Sequence, residues 1–161
     1  MDCKHFIDLT ENEMIAVKHF GLLRRHSNLN GKIPNTAFDK TRDVGDLDMD
    51  GAIGEYAFSK WKNCFMSLCT ANRIGSYDFK INNTRIDIKT TRFASSHIVS
   101  KLEANPDIDI YVLAVLEKSR VYFPGWIRKS ELVQEQNIKD LGRGICYAVP
   151  CHKLKPWPDE S

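Results

Sequence analysis

Residues 76–93 read SYDFKINNTRIDIKTTRF, and the way this segment pairs with itself decides the fold. Asn82 and Asn83 lie between two runs of alternating apolar and polar residues. Asn tolerates the left-handed backbone that a tight two-residue hairpin turn demands at both central positions. Such a turn fixes the register: Ile81 faces Thr84, Lys80 faces Arg85, Phe79 faces Ile86 and Asp78 faces Asp87. Strand side chains alternate, so one face carries Tyr77, Phe79, Ile81, Ile86 and Ile88, and the other carries Asp78, Lys80, Arg85, Asp87 and Lys89. The apolar face packs on a core. The charged face borders a cleft or solvent.

Directly opposed residues on one face have Cβ atoms ~5 Å apart, where like charges destabilise the pair. Two facing carboxylates therefore want a cation between them, and Mg²⁺ typically takes one or two carboxylates plus water and substrate phosphate. Lys89 follows Asp87 by two residues and projects from the same face, within reach of the same phosphate. Acid, acid and lysine on one face suit metal-assisted phosphodiester hydrolysis. The plain alternative is an exposed strand face on which Lys80, Arg85 and Lys89 offset Asp78 and Asp87.

Upstream, DLDMDGAIGEYAF from Asp46 to Phe58 imitates the start of a calcium loop, with Asp46, Asp48 and Asp50 followed by Gly51. The twelfth position of such a loop needs a bidentate Glu, but it is Ala57, and Glu55 falls at the tenth. Ile53, Ala57, Trp61 and Cys64 recur at helical spacing, so a helix from about Asp50 to Cys64 is the better reading, with Asp50 as its N-cap. Before it, Thr10 and Glu13 form a capping box for a helix over ENEMIAVKHFGLLRRHS, with Ile15, Val17, Phe20 and Leu23 as core contacts. Residues 27–49, rich in Asn, Gly and Asp, read as a long loop.

Beyond the hairpin, strands are expected near 109–117 and 119–124, then a short helix from Lys129 to Gln134 and a last strand ICYAV. The class is α/β or α+β, with a mixed sheet and a central hairpin flanked by helices. A chain of 161 residues with 42% hydrophobic content buries one proper core, so residues 1–161 are expected to form a single domain. No stretch reaches the ~18 apolar residues of a membrane span, and MDCKHFIDLTENE lacks the apolar core of a secretion signal. These features predict a soluble, cytoplasmic protein. Five cysteines without an export signal fit reduced thiols. A net charge of only +2 leaves any nucleic-acid binding to local patches.

Asp78, an eight-residue gap and then Asp87-Ile88-Lys89 resemble the signature of the PD-(D/E)xK nuclease superfamily, which includes restriction enzymes, junction resolvases, and repair and phage nucleases. GAIGEYAFSKW resembles the helix that often supplies a further acid to that site, here Glu55. The likeness runs from Gly51 to about Thr91 and continues more loosely to the C-terminal YAVPCHKLKPW. Residue 77 is Tyr where the family name has Pro, and the second acid is Asp. The resemblance implies a restriction-endonuclease-like fold and a metal-dependent DNA endonuclease. In it Asp78, Asp87, the Ile88 carbonyl and Glu55 would hold Mg²⁺ or Mn²⁺, and Lys89 would orient the attacking water.

On a helical wheel Glu55 lies away from Ile53, Ala57 and Trp61; it joins the site if that side borders the cleft and is otherwise a solvated residue. Phosphate contacts would come from Lys80, Arg85 and Arg92, with Lys60 and Lys62 nearby. Thr90 would pack on the apolar face. Many members of the superfamily act as dimers, so a homodimer is compatible with the resemblance. Two other classes remain beside it: a non-catalytic DNA-binding module on the same fold, and a protein whose charged hairpin face docks a partner.

Of the remaining features, Cys64, Cys69, Cys146 and Cys151 lack the two-residue knuckle spacing of a zinc site and read as buried free thiols. Trp126 and Trp157 read as packing residues, and His97 as structural. DIYVLAVLE is apolar on both faces, as befits a central strand covered on both sides.

Overall fold

The hairpin turns where the sequence places it. Asn82 and Asn83 have φ of 48° and 64°, both in the left-handed region. Strand β2 (Phe79–Ile81) pairs antiparallel with β3 (Thr84–Thr91) in the expected register, Phe79 with Ile86, Lys80 with Arg85 and Ile81 with Thr84. The computed structural model describes residues 3–30, 43–69, 77–142 and 144–158; Ser76 and residues 31–42 of the expected loop lie outside them.

The other described elements are β1 (Phe6–Asp8), α1 (Glu11–Asn30), α2 (Val44–Trp61), β4 (His97–Ser100), β5 (Ile110–Glu117), β6 (Arg120–Arg128), α3 (Lys129–Leu132), β7 (Ile138–Asp140) and β8 (Ile145–Pro150). They build a mixed α+β structure. One sheet has the order β1-β6-β5-β3-β2, with β3 parallel to β5 and the other neighbours antiparallel; a separate three-stranded sheet has the order β4-β8-β7. The connection from β3 to β5 passes through β4 in the small sheet, which supplies the crossover that a parallel pair needs.

Each face of the large sheet has its own core. On one, Ala52, Ile53, Ala57 and Phe58 of α2 pack against Ile86 and Ile88 of β3, Val112, Ala114 and Leu116 of β5, and Val121 and Phe123 of β6. Phe58 is 1% exposed, and burying one such side chain contributes about 1.5–3 kcal/mol. On the other, Tyr111, Leu113, Val115 and Ile127 meet Ile98 and Val149 of the small sheet together with Leu132 and Leu154. Strand β5 is thus buried on both sides, as its unbroken apolar run predicts.

Several expectations need correction. Helix α2 begins at Val44, capped by the Asp43 carboxylate on the Gly45 amide (2.7 Å), so Asp50 is not an N-cap. It lies mid-helix, 2% exposed. Tertiary packing carries α2 through Asp46, Asp48, Asp50 and three glycines, residues of low helix propensity. Helix α1 extends to Asn30, and Ile15 and Leu23 are exposed, while Val17 and Gly21 are buried and Phe20 is half-buried. Gly21 sets that orientation. A Cβ there would stand 2.9 Å from both Asp48 O and Met49 Cα, so only glycine allows α2 to come this close.

Strand β6 runs past residue 124 to Arg128, and its pairing with β5 shifts register between Leu113 and Val115. Pro124 sits at this irregularity, a place where a strand tolerates a missing amide. Strands β1, β4 and β7, three or four residues each, are too short for alternation to reveal. Tyr77, expected beside Phe79 on the helix-covered face, packs against the core on the opposite face, because the chain leaves the ladder just before Phe79.

Candidate active site

That departure builds the site. Phe79 with Ile86 is the last ladder pair, so the expected facing of Asp78 and Asp87 across the ladder is not formed. The Asp78 amide donates to Ile86 O (2.8 Å), and the Asp78 carboxylate accepts the Ile88 N–H through Oδ2 (2.8 Å). A side-chain oxygen has taken the place of the strand carbonyl that would otherwise receive this amide. The N–H and C=O of a strand residue project to the same side, as the exchanged pairs of an antiparallel ladder require. The Ile88 carbonyl therefore points to the Asp78 side.

Asp87 and Lys89 alternate with Ile86 and Ile88 and so project from the face opposite α2. Lys89 Nζ lies 2.6 Å from Asp87 Oδ2; the carboxylate side chain is 13% exposed and the lysine side chain 37%. Asp78 also contributes to the field at Lys89. Burial alone would lower the Lys89 pKa, but Asp87, and more weakly Asp78, outweigh it and hold the ammonium above its ordinary value. Asp78, Asp87 and Lys89 are thus brought to one place by one short hairpin.

Two residues that sequence reasoning missed support this lysine. Tyr111 pairs with Asp87 across the parallel ladder and is 1% exposed, and its ring centroid lies 5.7 Å from Lys89 Nζ. Its hydroxyl stands 3.5 Å from Ser100 Oγ of β4, and burial raises its pKa. Within an apolar strand run, nothing marks Tyr111 as facing a charge.

Glu55 is placed elsewhere. It is 8% exposed, and both its oxygens accept from Arg24 of α1, at 2.9 and 2.6 Å. Its helix covers the Ile86–Ile88 side of the sheet, away from the side that carries Asp87 and Lys89. Neither sequence alternative anticipated this: the polar side of α2 borders another helix rather than a cleft or solvent. Thr90 packs on the α2 side as expected, against Gly54, where a Cβ would collide with Thr90 Oγ1.

Most of the expected phosphate-contact residues are engaged within the chain. Arg85 donates to Asp109 through Nε (3.0 Å) and Nη2 (2.9 Å) and its Nη1 is 3.5 Å from Asp107; chiefly through its side-chain bonds, it holds the Asp109 carboxyl at about 2. Arg92 makes a two-point bond to buried Asp50, at 2.8 and 2.7 Å. Lys60 binds Glu13 at 2.8 and 3.0 Å. Lys62 Nζ lies 3.6 Å from the centroid of Trp61 and 5.0 Å from that of Trp157. Lys80 is exposed on β2.

In donor chemistry, two carboxylates and a carbonyl suit a hard, oxygen-seeking cation such as Mg²⁺ or Mn²⁺ rather than a soft one. Among the described residues, no group of three His, Cys, Asp or Glu side chains converges as a ready-made metal set. All five cysteines are free; Cys146 is buried, Cys69 exposed and the others half-buried. Trp126 and Trp157 join an aromatic cluster with Phe58, Trp61 and Phe123. No helix among the described residues is long and apolar enough to cross a membrane. Comparison with known proteins finds no matching family model, no matching curated protein and no matching solved structure.

Proposed function

We propose that this chain is a metal-dependent endonuclease of the PD-(D/E)xK type, with a restriction-endonuclease-like fold, that hydrolyses phosphodiester bonds in DNA at Asp78, Asp87 and Lys89. The observation that carries this reading is the meeting of Lys89 with Asp87 (2.6 Å) beside Asp78, whose carboxylate is tied to the Ile88 amide. Two carboxylates with an adjoining ammonium at the end of a ladder are the groups that phosphoryl chemistry uses.

In this reading Asp78, Asp87 and the Ile88 carbonyl would hold Mg²⁺ or Mn²⁺. When bound, the ion supplies charge neutralisation at the scissile phosphate and lowers the pKa of a water it coordinates. Asp78, by holding the Ile88 amide, fixes the strand carrying the second acid and the carbonyl. Lys89 exchanges part of its bond to Asp87 for a phosphate oxygen, orients the attacking water and stabilises the charge that develops on the phosphate. Tyr111 gives the ammonium a rigid floor. Glu55 belongs to Arg24 and braces α2 against α1 rather than supplying a ligand.

The test is cleavage of plasmid, linear and branched DNA by wild type, Asp87→Ala and Lys89→Ala in Mg²⁺, Mn²⁺ or EDTA. Cutting that needs the metal and is lost in both variants supports the assignment. Wild-type protein that binds DNA but cuts none of these substrates in either metal would remove the enzyme and leave a binding module.

A further inference from the structure

Three observations bear on what kind of DNA this site accepts. The Asp87 side chain is 13% exposed and that of Lys89 37%, and the small sheet packs on the same side of the large one, so the carboxylate is recessed beneath a half-exposed lysine. A stiff duplex presents its phosphates on the outside of a wide cylinder, whereas a single strand can bend into a recess. Both arginines expected to track a duplex backbone beside the hairpin are bound to carboxylates, Arg85 to Asp109 and Asp107 and Arg92 to Asp50, in a chain whose net charge is only +2. Duplex affinity rests on neutralising many phosphates, and arginines already bound to carboxylates contribute less to it.

The third observation is Phe93, 63% exposed immediately beyond the strand that carries Asp87 and Lys89. Arg92 turns toward α2 to reach Asp50, and Phe93 follows it into solvent. Its place is fixed at both ends of the residue: its amide donates to Thr91 Oγ1 (3.2 Å) and its carbonyl accepts from the Ser96 amide (3.2 Å). At strand rise, four residues from Lys89 span ~13 Å, a reach of a few nucleotides. An exposed aromatic ring on a fixed turn beside a recessed phosphate site is the feature with which proteins hold unpaired strands, because every base offers a face to stack on.

Resting on the nuclease reading, we propose that the substrate is single-stranded or locally unpaired DNA, with Phe93 stacking a base near the scissile phosphate. The experiment measures binding of a short labelled single strand and of the blunt duplex of the same sequence, in EDTA so that no cleavage intervenes, by wild type, Phe93→Ala and Phe93→Trp. The expected result is single-strand affinity at least about tenfold above duplex affinity, a loss of about tenfold in Phe93→Ala, and retention in Phe93→Trp. Equal or tighter binding of the blunt duplex, or single-strand affinity unmoved in Phe93→Ala, overturns the inference.

Adding Mg²⁺ to the same pair of substrates separates this idea from the reading beneath it. Cleavage that favours blunt duplex sinks the single-strand inference and leaves the nuclease. Single-strand binding that depends on Phe93, with no cleavage in Mg²⁺ or Mn²⁺, sinks the nuclease and leaves the stacking interface.

Discussion

Glu55 shows how far a single residue can be read from its neighbours in sequence. Its place in GAIGEYAF is similar to a nuclease helix, yet its oxygens are taken by Arg24, thirty-one positions earlier, and no local pattern announces that partner. The pair is well buried, with side-chain exposures of 13% for Arg24 and 10% for Glu55. Removing one member takes a two-point, charge-assisted bond from the other in a low-dielectric interior. Arg24→Met should therefore cost about 3–5 kcal/mol, read from the midpoint of denaturant unfolding, and the double variant Arg24→Met, Glu55→Leu should recover most of it. If the single variant matches wild-type stability, the buried pair is not what joins α1 to α2. Asp87 and Lys89 were legible for the opposite reason: their geometry is local, set by a two-residue turn whose Asn pair states its own backbone conformation, whereas Asp78 lies past the last ladder pair, where the chain departs from that register.

Among the elements, the hairpin, β5 and the helical character of residues 50–61 could be read directly from period and turn chemistry. The start of α2 could not, because three aspartates and two glycines argue against a helix that only packing sustains. The exposed face of α1 was also hidden, since which side of an apolar-rich helix is buried depends on where Gly21 lets α2 approach. The same logic holds where α2 crosses β3. Gly54 leaves no room for a methyl group, because Thr90 Oγ1, Cβ and Cγ2 all crowd the position, and a β-branched side chain cannot readily turn away. Gly54→Ala should lose about 1–3 kcal/mol by overpacking, despite alanine's better helix propensity. Thr90→Ala in the same chain should restore much of that loss in a chemical denaturation series. A stabilised Gly54→Ala would mean that α2 does not lie so close to β3.

For the whole molecule, the carboxylates that tie distant segments together set the response to acid. Glu13 binds Lys60 of α2 and the Thr10 amide, and these bonds, Lys60 foremost, lower its pKa from 4.5 to about 2. A depressed folded-state value means stability that is complete above about pH 4.5 and is lost as pH falls through about 2. Glu13→Gln should flatten the pH dependence of unfolding free energy across that interval and leave its shape above pH 5 unchanged; an identical acid limb in the variant would show that Glu13 is not part of it. The fold thus holds its hairpin between two cores, and in the proposed function Asp87 serves the ion and Lys89 serves the phosphate. The most direct measurement is the single-turnover cleavage rate as a function of Mg²⁺ concentration for wild type, Asp87→Asn and Lys89→Met. Asp87→Asn should raise the Mg²⁺ concentration needed for half-maximal rate, whereas Lys89→Met should lower the maximal rate by about a hundredfold or more with that concentration nearly unchanged. Metal-independent cutting by wild type, or full activity retained in both variants, would contradict the proposed function.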